Sequence, residues 1–249
     1  MKLINLGSSS SGNSYYLELD RNTLPPAKLM LEVGFPLKEL QRKCMYNNIN
    51  INDIEAYVVT HNHHDHSASA KDLIKRGKKV YGNQYITGGN PLTTLTHNEK
   101  RYIANDVSVI PFEVEHDAPE SLGFIIQTSK ETILFVNDCK YFKADLSRIK
   151  FDYVFIEANY DGQSIHFAYT NAKENNDHSN IHRYERLLNS HMSIKNTVEH
   201  LKLLDLNQCK AIFLMHLSDT NSNEHLFIKR VKEATGVKTF ACKKNGGLI

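Results

Sequence analysis

The chain has 249 residues, is 41% hydrophobic and carries a formal net charge of +2. That length allows one or two domains with a sizeable core, and the near-neutral balance gives no overall electrostatic argument for a polyanionic partner. No stretch reaches the roughly 20 apolar residues of a membrane helix, and the chain opens on a strand-like run, Lys2 to Leu6, rather than a basic-then-apolar leader. A cytoplasmic protein with no membrane partner is therefore expected.

Short apolar runs, many β-branched or aromatic, predict strands at 2–6, 14–19, 28–33, 55–59, 79–82, 107–114, 122–128, 132–136, 152–157, 211–215 and 237–241. Helical patterns lie between them. Leu37, Leu40 and Cys44 share a face after Pro36, and a second helix runs from about Ser69 to Lys75 and stops at Gly77. Ile194, Val198, Leu201 and Leu204 mark the longest expected helix, from about Ser193 to Leu204. A last helix spans about Asn223 to Ala234 and ends at Gly236. Strand-rich halves, each followed by helices, imply an α/β fold: one domain over 1–249 with two packed sheets and helices outside, an αββα sandwich. The stretch 159–190 is polar, with helical potential around Arg183 to Leu188, and reads as an excursion that covers a site or forms an interface. Cys44, Cys139, Cys209 and Cys242 form no C-x-x-C pair and are expected as free thiols.

The thirteen histidines invite a search for metal ligands. The strand ending at Val59 runs into Thr60-His61-Asn62-His63-His64-Asp65-His66, an H-x-H-x-D-H pattern before a helix. Alternate residues at a strand end point the same way, so His61 and His63 can share one metal. As the chain turns into a helix, Asp65 and His66 can face a second. His64, at an x position, is expected to be exposed or supporting. His116, Asp138 and His216 each follow an apolar strand, as further ligands on one rim would. Imidazoles and carboxylates suit zinc, with manganese the other candidate.

This pattern resembles the metallo-β-lactamase superfamily, and within it the phosphodiesterase branch of WalJ/YycJ-type hydrolases and their phage-encoded relatives, including the anti-Pycsar phosphodiesterases. The matching stretches are Gly7 to Ser14, Thr60 to His66, Glu115 to Phe124, Asn137-Asp138, Phe155 to Asn159, Ser190 to Ser193 and Leu214 to Asp219. The resemblance implies that His61, His63 and His116 hold one divalent ion, that Asp65, His66 and His216 hold another, and that Asp138 bridges them. It implies that His191 acts on the leaving oxygen and that Glu157 orients it. Asp65 is expected to orient the nucleophile as well as ligate. Glu32 stands where relatives usually have Asp, and Asn137 where Thr often precedes the bridging Asp; both departures touch the support of the site.

Two substrates stay open. A phage anti-defence enzyme hydrolysing 3′,5′-cyclic mononucleotides (cCMP- or cUMP-type signals) as a homodimer suits the modest size and near-neutral charge. A WalJ-like DNA nuclease suits the motif likeness and the basic group Lys71, Lys75, Arg76, Lys78 and Lys79, which reads either as a solvated face or as a nucleic-acid track. The first is the leading expectation. The loop Ser8 to Asn13 reads equally as a phosphate-approaching rim or a plain turn. Tyr153, Tyr160, Phe167 and Tyr169 could stack on bases, although core packing is the expected fate of Tyr153 and Phe167.

Overall fold

The computed structural model describes residues 1–248. Thirteen strands appear among the described residues: β1 (Lys2–Gly7), β2 (Ser14–Leu19), β3 (Ala27–Leu31), β4 (Ala56–Val58), β5 (Val80–Tyr81), β6 (Arg101–Ala104), β7 (Val107–Glu113), β8 (Leu122–Gln127), β9 (Thr132–Val136), β10 (Tyr153–Glu157), β11 (Ala211–Met215), β12 (Thr239–Ala241) and β13 (Gly247–Leu248). The α-helices are α1 (Leu37–Tyr46), α2 (His64–Ser67), α3 (Ala70–Lys75), α4 (Gln84–Thr87), α5 (Gly162–Glu174), α6 (His178–Ser190), α7 (Ile194–Lys202) and α8 (Glu224–Thr235). None is long and apolar enough to cross a membrane.

The strands form two sheets, ordered β13-β1-β2-β3-β4-β5 and β12-β11-β10-β9-β8-β7-β6. Side chains alternate across a strand, and here both faces are buried, which is why the strands read as continuous apolar runs. Leu3, Tyr15, Leu17, Leu29 and Leu31 face the second sheet, whose Phe124, Ile126, Phe135, Phe155 and Phe213 meet them. The opposite faces take the helices. Ile4, Tyr16 and Met30 pack with Leu37, Leu40 and Cys44 of α1 and Leu73 of α3. Leu134, Ile156, Ile212 and Leu214 pack with Ile194 and Leu201 of α7 and Phe227 and Val231 of α8. The molecule is thus the expected αββα sandwich.

The structure corrects the element list in three places. Strand β6 was missed because an edge strand with exposed Tyr102 carries little apolar signal, and β13 was missed as a two-residue strand. The helix at 194–202 is not the longest: α5 and α6 have 13 residues each and pair as a hairpin over most of the polar excursion. Their Asp residues are caps rather than loop markers. Asp161 accepts from Gln163 N and Ser164 N, and Asp177 from Asn180 N. Only Ile165, Ala172 and Ser190 are buried in the hairpin, so it lacks the apolar stripe by which a helix announces itself.

Three loops at one rim are joined by backbone hydrogen bonds. Asn13 N donates to Asp65 O at 2.8 Å, Gly34 N to Asn13 O at 2.9 Å, and Val33 N to His66 O at 2.8 Å. Gly34 permits this approach: a Cβ there would stand 1.7 Å from Asp65 O. Gly34→Ala must therefore push the 61–66 loop away. Overpacking of this kind costs about 1–3 kcal/mol, so a lowered thermal midpoint together with reduced metal content is the expected result.

Candidate metal centre

Each expected ligand leaves the end of a strand. The chain stays extended past β4, so His61 and His63 project together, and α2 then turns Asp65 and His66 inward. His116 follows β7, Asp138 follows β9 and His216 follows β11. Asp138 and His216 have φ of +47° and +54°, and Glu32, after β3, has +59°. Non-glycine residues rarely occupy this left-handed region, so the surrounding bonds hold three sharp turns at the rim.

The structure brings all seven expected ligands together. His61, His63 and His116 offer nitrogens to one point, with His61 Nε2 3.1 Å and His116 Nε2 3.2 Å from His63 Nδ1. Asp65, His66, Asp138 and His216 form the neighbouring group. There Asp138 Oδ2 is 3.1 Å from His66 Nε2 and 3.8 Å from His116 Nε2, so it stands between the two groups. Asp65 Oδ2 is 3.4 Å from His66 Nε2 and 3.8 Å from His216 Nε2.

Hydrogen bonds fix which nitrogen is offered. His116 Nδ1 lies 2.8 Å from the Ser190 carbonyl, which only accepts, so the proton sits on Nδ1 and Nε2 keeps its lone pair. Thr60 Oγ1 donates to Glu32 Oε1 at 2.6 Å and takes the Nδ1 proton of His61 at 2.9 Å. Burial and the neighbouring His66 hold the His61 pKa well below the ordinary imidazole value. The longer Glu32 also reaches His66 Nδ1 at 3.3 Å. Asn137 is buried with its amide unpaired.

The cluster fits divalent ions. Tetrahedral zinc with Zn–N bonds of about 2.0–2.1 Å spaces its ligand nitrogens by roughly 3.3 Å, close to the 3.1 and 3.2 Å seen here. Asp138 Oδ1 faces His216 Nδ1 at 3.0 Å, whereas buried His216 Nε2 has no hydrogen-bond partner, an expensive arrangement unless a cation takes it.

Beside the cluster, Glu157 Oε1 meets His191 Nδ1 at 2.6 Å and His216 Nδ1 at 3.3 Å, while Oε2 accepts from Cys139 N at 2.7 Å and Met192 N at 3.2 Å. Burial opposes ionisation of Glu157, but the His191 charge and hydrogen bond outweigh it and lower its pKa. Burial likewise opposes the His191 imidazolium, and the Glu157 and Asp138 carboxylates overcome it and raise its pKa.

Sequence reasoning missed several parts. Asn159 donates to His216 O at 2.8 Å; its signal is its place two residues beyond Glu157 at the same strand end. The 8–13 loop, by contrast, takes the rim position that was one of its two expected readings: Asn13 Nδ2 approaches His66 Nε2 at 3.2 Å and Ser8 Oγ accepts from His216 N at 2.9 Å. Arg186 Nε donates to Asp117 Oδ2 at 2.5 Å, and Asp117 Oδ1 is 3.1 Å from His116 Nε2. A cavity of about 300 Å³ opens beside His191 and His216, walled by Ser9, Ser10, Arg183 and Arg186.

Other expectations fall away from it. His64 is exposed. Lys71, Lys75, Arg76 and Lys79 are exposed on and after α3, and no residue of that basic group lines the cavity. Tyr160 is buried and Tyr153 packs beside Phe213. Tyr169 donates to Glu185 within the hairpin. Phe167, expected in the core, is 69% exposed because it lies on the outer side of α5.

Fold and cluster together define a metal-dependent hydrolase. The model of the beta-lactamase superfamily domain matches residues 35–217, and the chain belongs to that family. It is 25% identical to the exodeoxyribonuclease WalJ of Streptococcus pneumoniae, over 89% of this chain and 83% of the relative. It is also 25% identical to the exodeoxyribonuclease YycJ of Bacillus anthracis, over 94% and 89% respectively. Among solved structures, the metallo-beta-lactamase fold protein YhfI from Bacillus subtilis superposes with a TM-score of 0.69 at 13% identity, covering 99% of each chain.

Burial disfavours the charged form of His216, but Asp138 and Glu157 push its pKa up to about 10. A metal must displace that proton. Metal uptake is therefore expected to release protons and to strengthen as pH rises through neutrality, which calorimetry in buffers of different ionisation enthalpy would show. Asp138→Ala is expected to lose metal occupancy by elemental analysis, with the fold retained by circular dichroism.

Proposed function

We propose that the protein is a two-metal phosphodiesterase that removes nucleotides from a DNA end. The observation that carries the phosphodiesterase reading is His191, fixed by Glu157 and facing the cavity beside the ligand cluster. His61 Nε2, His63 Nδ1 and His116 Nε2 would hold one ion, and Asp65, His66 and His216 the other, with Asp138 between. Five imidazoles against two carboxylates favour zinc over manganese. When bound, the ions supply a nucleophilic hydroxide at neutral pH and neutralise charge on the phosphate oxygens.

The chain's own groups do the rest. Asp65 orients the nucleophile. Glu157 commits His191 Nδ1, leaving the Nε2 proton for the leaving oxygen. Ser9 and Ser10 of the Ser8 to Asn13 loop border the cavity where phosphate would enter. The DNA-end reading draws on the curated relatives, which are exodeoxyribonucleases and align along most of this chain.

One observation favours the second reading, a 3′,5′-cyclic mononucleotide as substrate. The cavity of about 300 Å³ is at the small end of ligand pockets. In that reading the setting is phage anti-defence, and the exposed Phe167 face of α5 is the contact between two copies.

Loaded with zinc, the protein is expected to shorten end-labelled linear DNA stepwise from an end. Turnover of 3′,5′-cyclic mononucleotides alone would overturn the first reading and favour the second. His191→Ala should keep its metal and lose about 10²–10⁴-fold in turnover with a poor leaving group. Full activity in that variant would remove His191 from the mechanism.

A further inference from the structure

Arg183 and Arg186 are three residues apart on α6, so they present to one side of the helix. That side walls the cavity containing His191 and His216. Arg183 makes no ion pair among the described residues; its guanidinium reaches only Thr220 Oγ1, at 3.4 Å, and the Tyr184 ring. Arg186 has one carboxylate partner, Asp117, and that carboxylate in turn touches His116. The acidic wall residue, Asp219, is already occupied by Lys244. The cavity wall therefore carries two guanidinium groups, one paired with Asp117 and one with no carboxylate partner among the described residues, next to the centre that would take the scissile phosphate.

Guanidinium forks match phosphate oxygens in charge and geometry. A cyclic mononucleotide has a single phosphate, and the ligand cluster would take it. A polynucleotide brings a second phosphate one nucleotide away. Resting on the DNA-end reading above, we propose that Arg183 and Arg186 grip the phosphate adjoining the scissile one, Arg186 exchanging Asp117 for it on binding. The pair would make a polynucleotide end, rather than an isolated phosphodiester, the preferred substrate. They are specificity-determining residues supplied by the α5–α6 hairpin.

The test compares two substrates of the zinc-loaded protein. Bis(p-nitrophenyl) phosphate carries one phosphodiester, whereas trithymidylate has a phosphate next to each scissile bond. The wild type is expected to prefer trithymidylate, and Arg183→Gln and Arg186→Gln are each expected to cut that preference about tenfold, the scale of one charge-assisted hydrogen bond. Arg183→Lys should restore part of it, and the exposed Lys195→Gln should change neither rate. A readout independent of turnover is fluorescence anisotropy of labelled single-stranded DNA on the metal-free protein. Each arginine removed should lower the slope of log affinity against log salt by about one.

Equal losses on both substrates, or an unaltered preference and salt slope, would overturn the clamp while leaving a phosphodiesterase. No turnover of either substrate by the wild type would overturn the phosphodiesterase reading and the clamp with it. Turnover of bis(p-nitrophenyl) phosphate without trithymidylate would overturn the polynucleotide end as substrate, and the clamp with it.

Discussion

The buried carboxylate of Glu157 is the interaction on which the rim of this molecule depends. A carboxylate removed from water is costly unless hydrogen bonds and opposite charge replace the solvent. Here four groups do so: His191 Nδ1, His216 Nδ1, Cys139 N and Met192 N. They come from the α6–α7 junction, the end of β11 and the end of β9, while Glu157 itself ends β10. One side chain thus fixes the relative position of three parallel strand ends and the chain entering α7. Thr197 Oγ1 then anchors the Glu157 carbonyl at 2.7 Å, joining α7 to the same point.

The candidate ligands inherit their placement from this arrangement. Asp138 is next to Cys139, whose amide Glu157 accepts, and His216 is touched by the same carboxylate. Both sit at positive φ, which for residues with a Cβ costs about 1–2 kcal/mol each. Local preference would relax these turns, so the tertiary bonds must hold them. Glu32 repeats the pattern in the other sheet, turning sharply after β3, accepting from Thr60 and lying 3.3 Å from His66 Nδ1. The buried amide of Asn137, by contrast, is unpaired.

How much of this the sequence discloses depends on the range of the interaction. Period-two and continuous apolar runs record burial on sheet faces, so most strands and the sandwich were legible. The strand-end His and Asp residues that cluster at the rim were legible as candidates because a polar residue after an apolar run is a local event. The α5–α6 hairpin was not, since Tyr169–Glu185 and the Asp caps stabilise it through polar contacts that leave no apolar stripe. Nor were the positive φ angles of Asp138 and His216, or the role of Gly34, because each is forced by a segment distant in the chain. Asp117 and the two arginines belong to this class as well: the Arg186–Asp117 contact joins residues 69 positions apart.

The net charge is uninformative about the site for a related reason. A value of +2 averages over the whole surface, whereas recognition responds to the field inside one concavity, where low-dielectric walls focus it. The basic group that stands out in the sequence, around α3, is mostly exposed, and none of it lines the cavity. The cations that line the cavity, Arg183 and Arg186, lie in a stretch read as a polar excursion. They are placed by a helix that, apart from Ser190, adds little to the buried core. That separation has a functional logic. The sandwich and Glu157 hold the His/Asp cluster, while under the proposed clamp the hairpin would meet the substrate through exposed side chains that add little to the core. Specificity could then change by substitution on α6 without reopening the geometry of the centre.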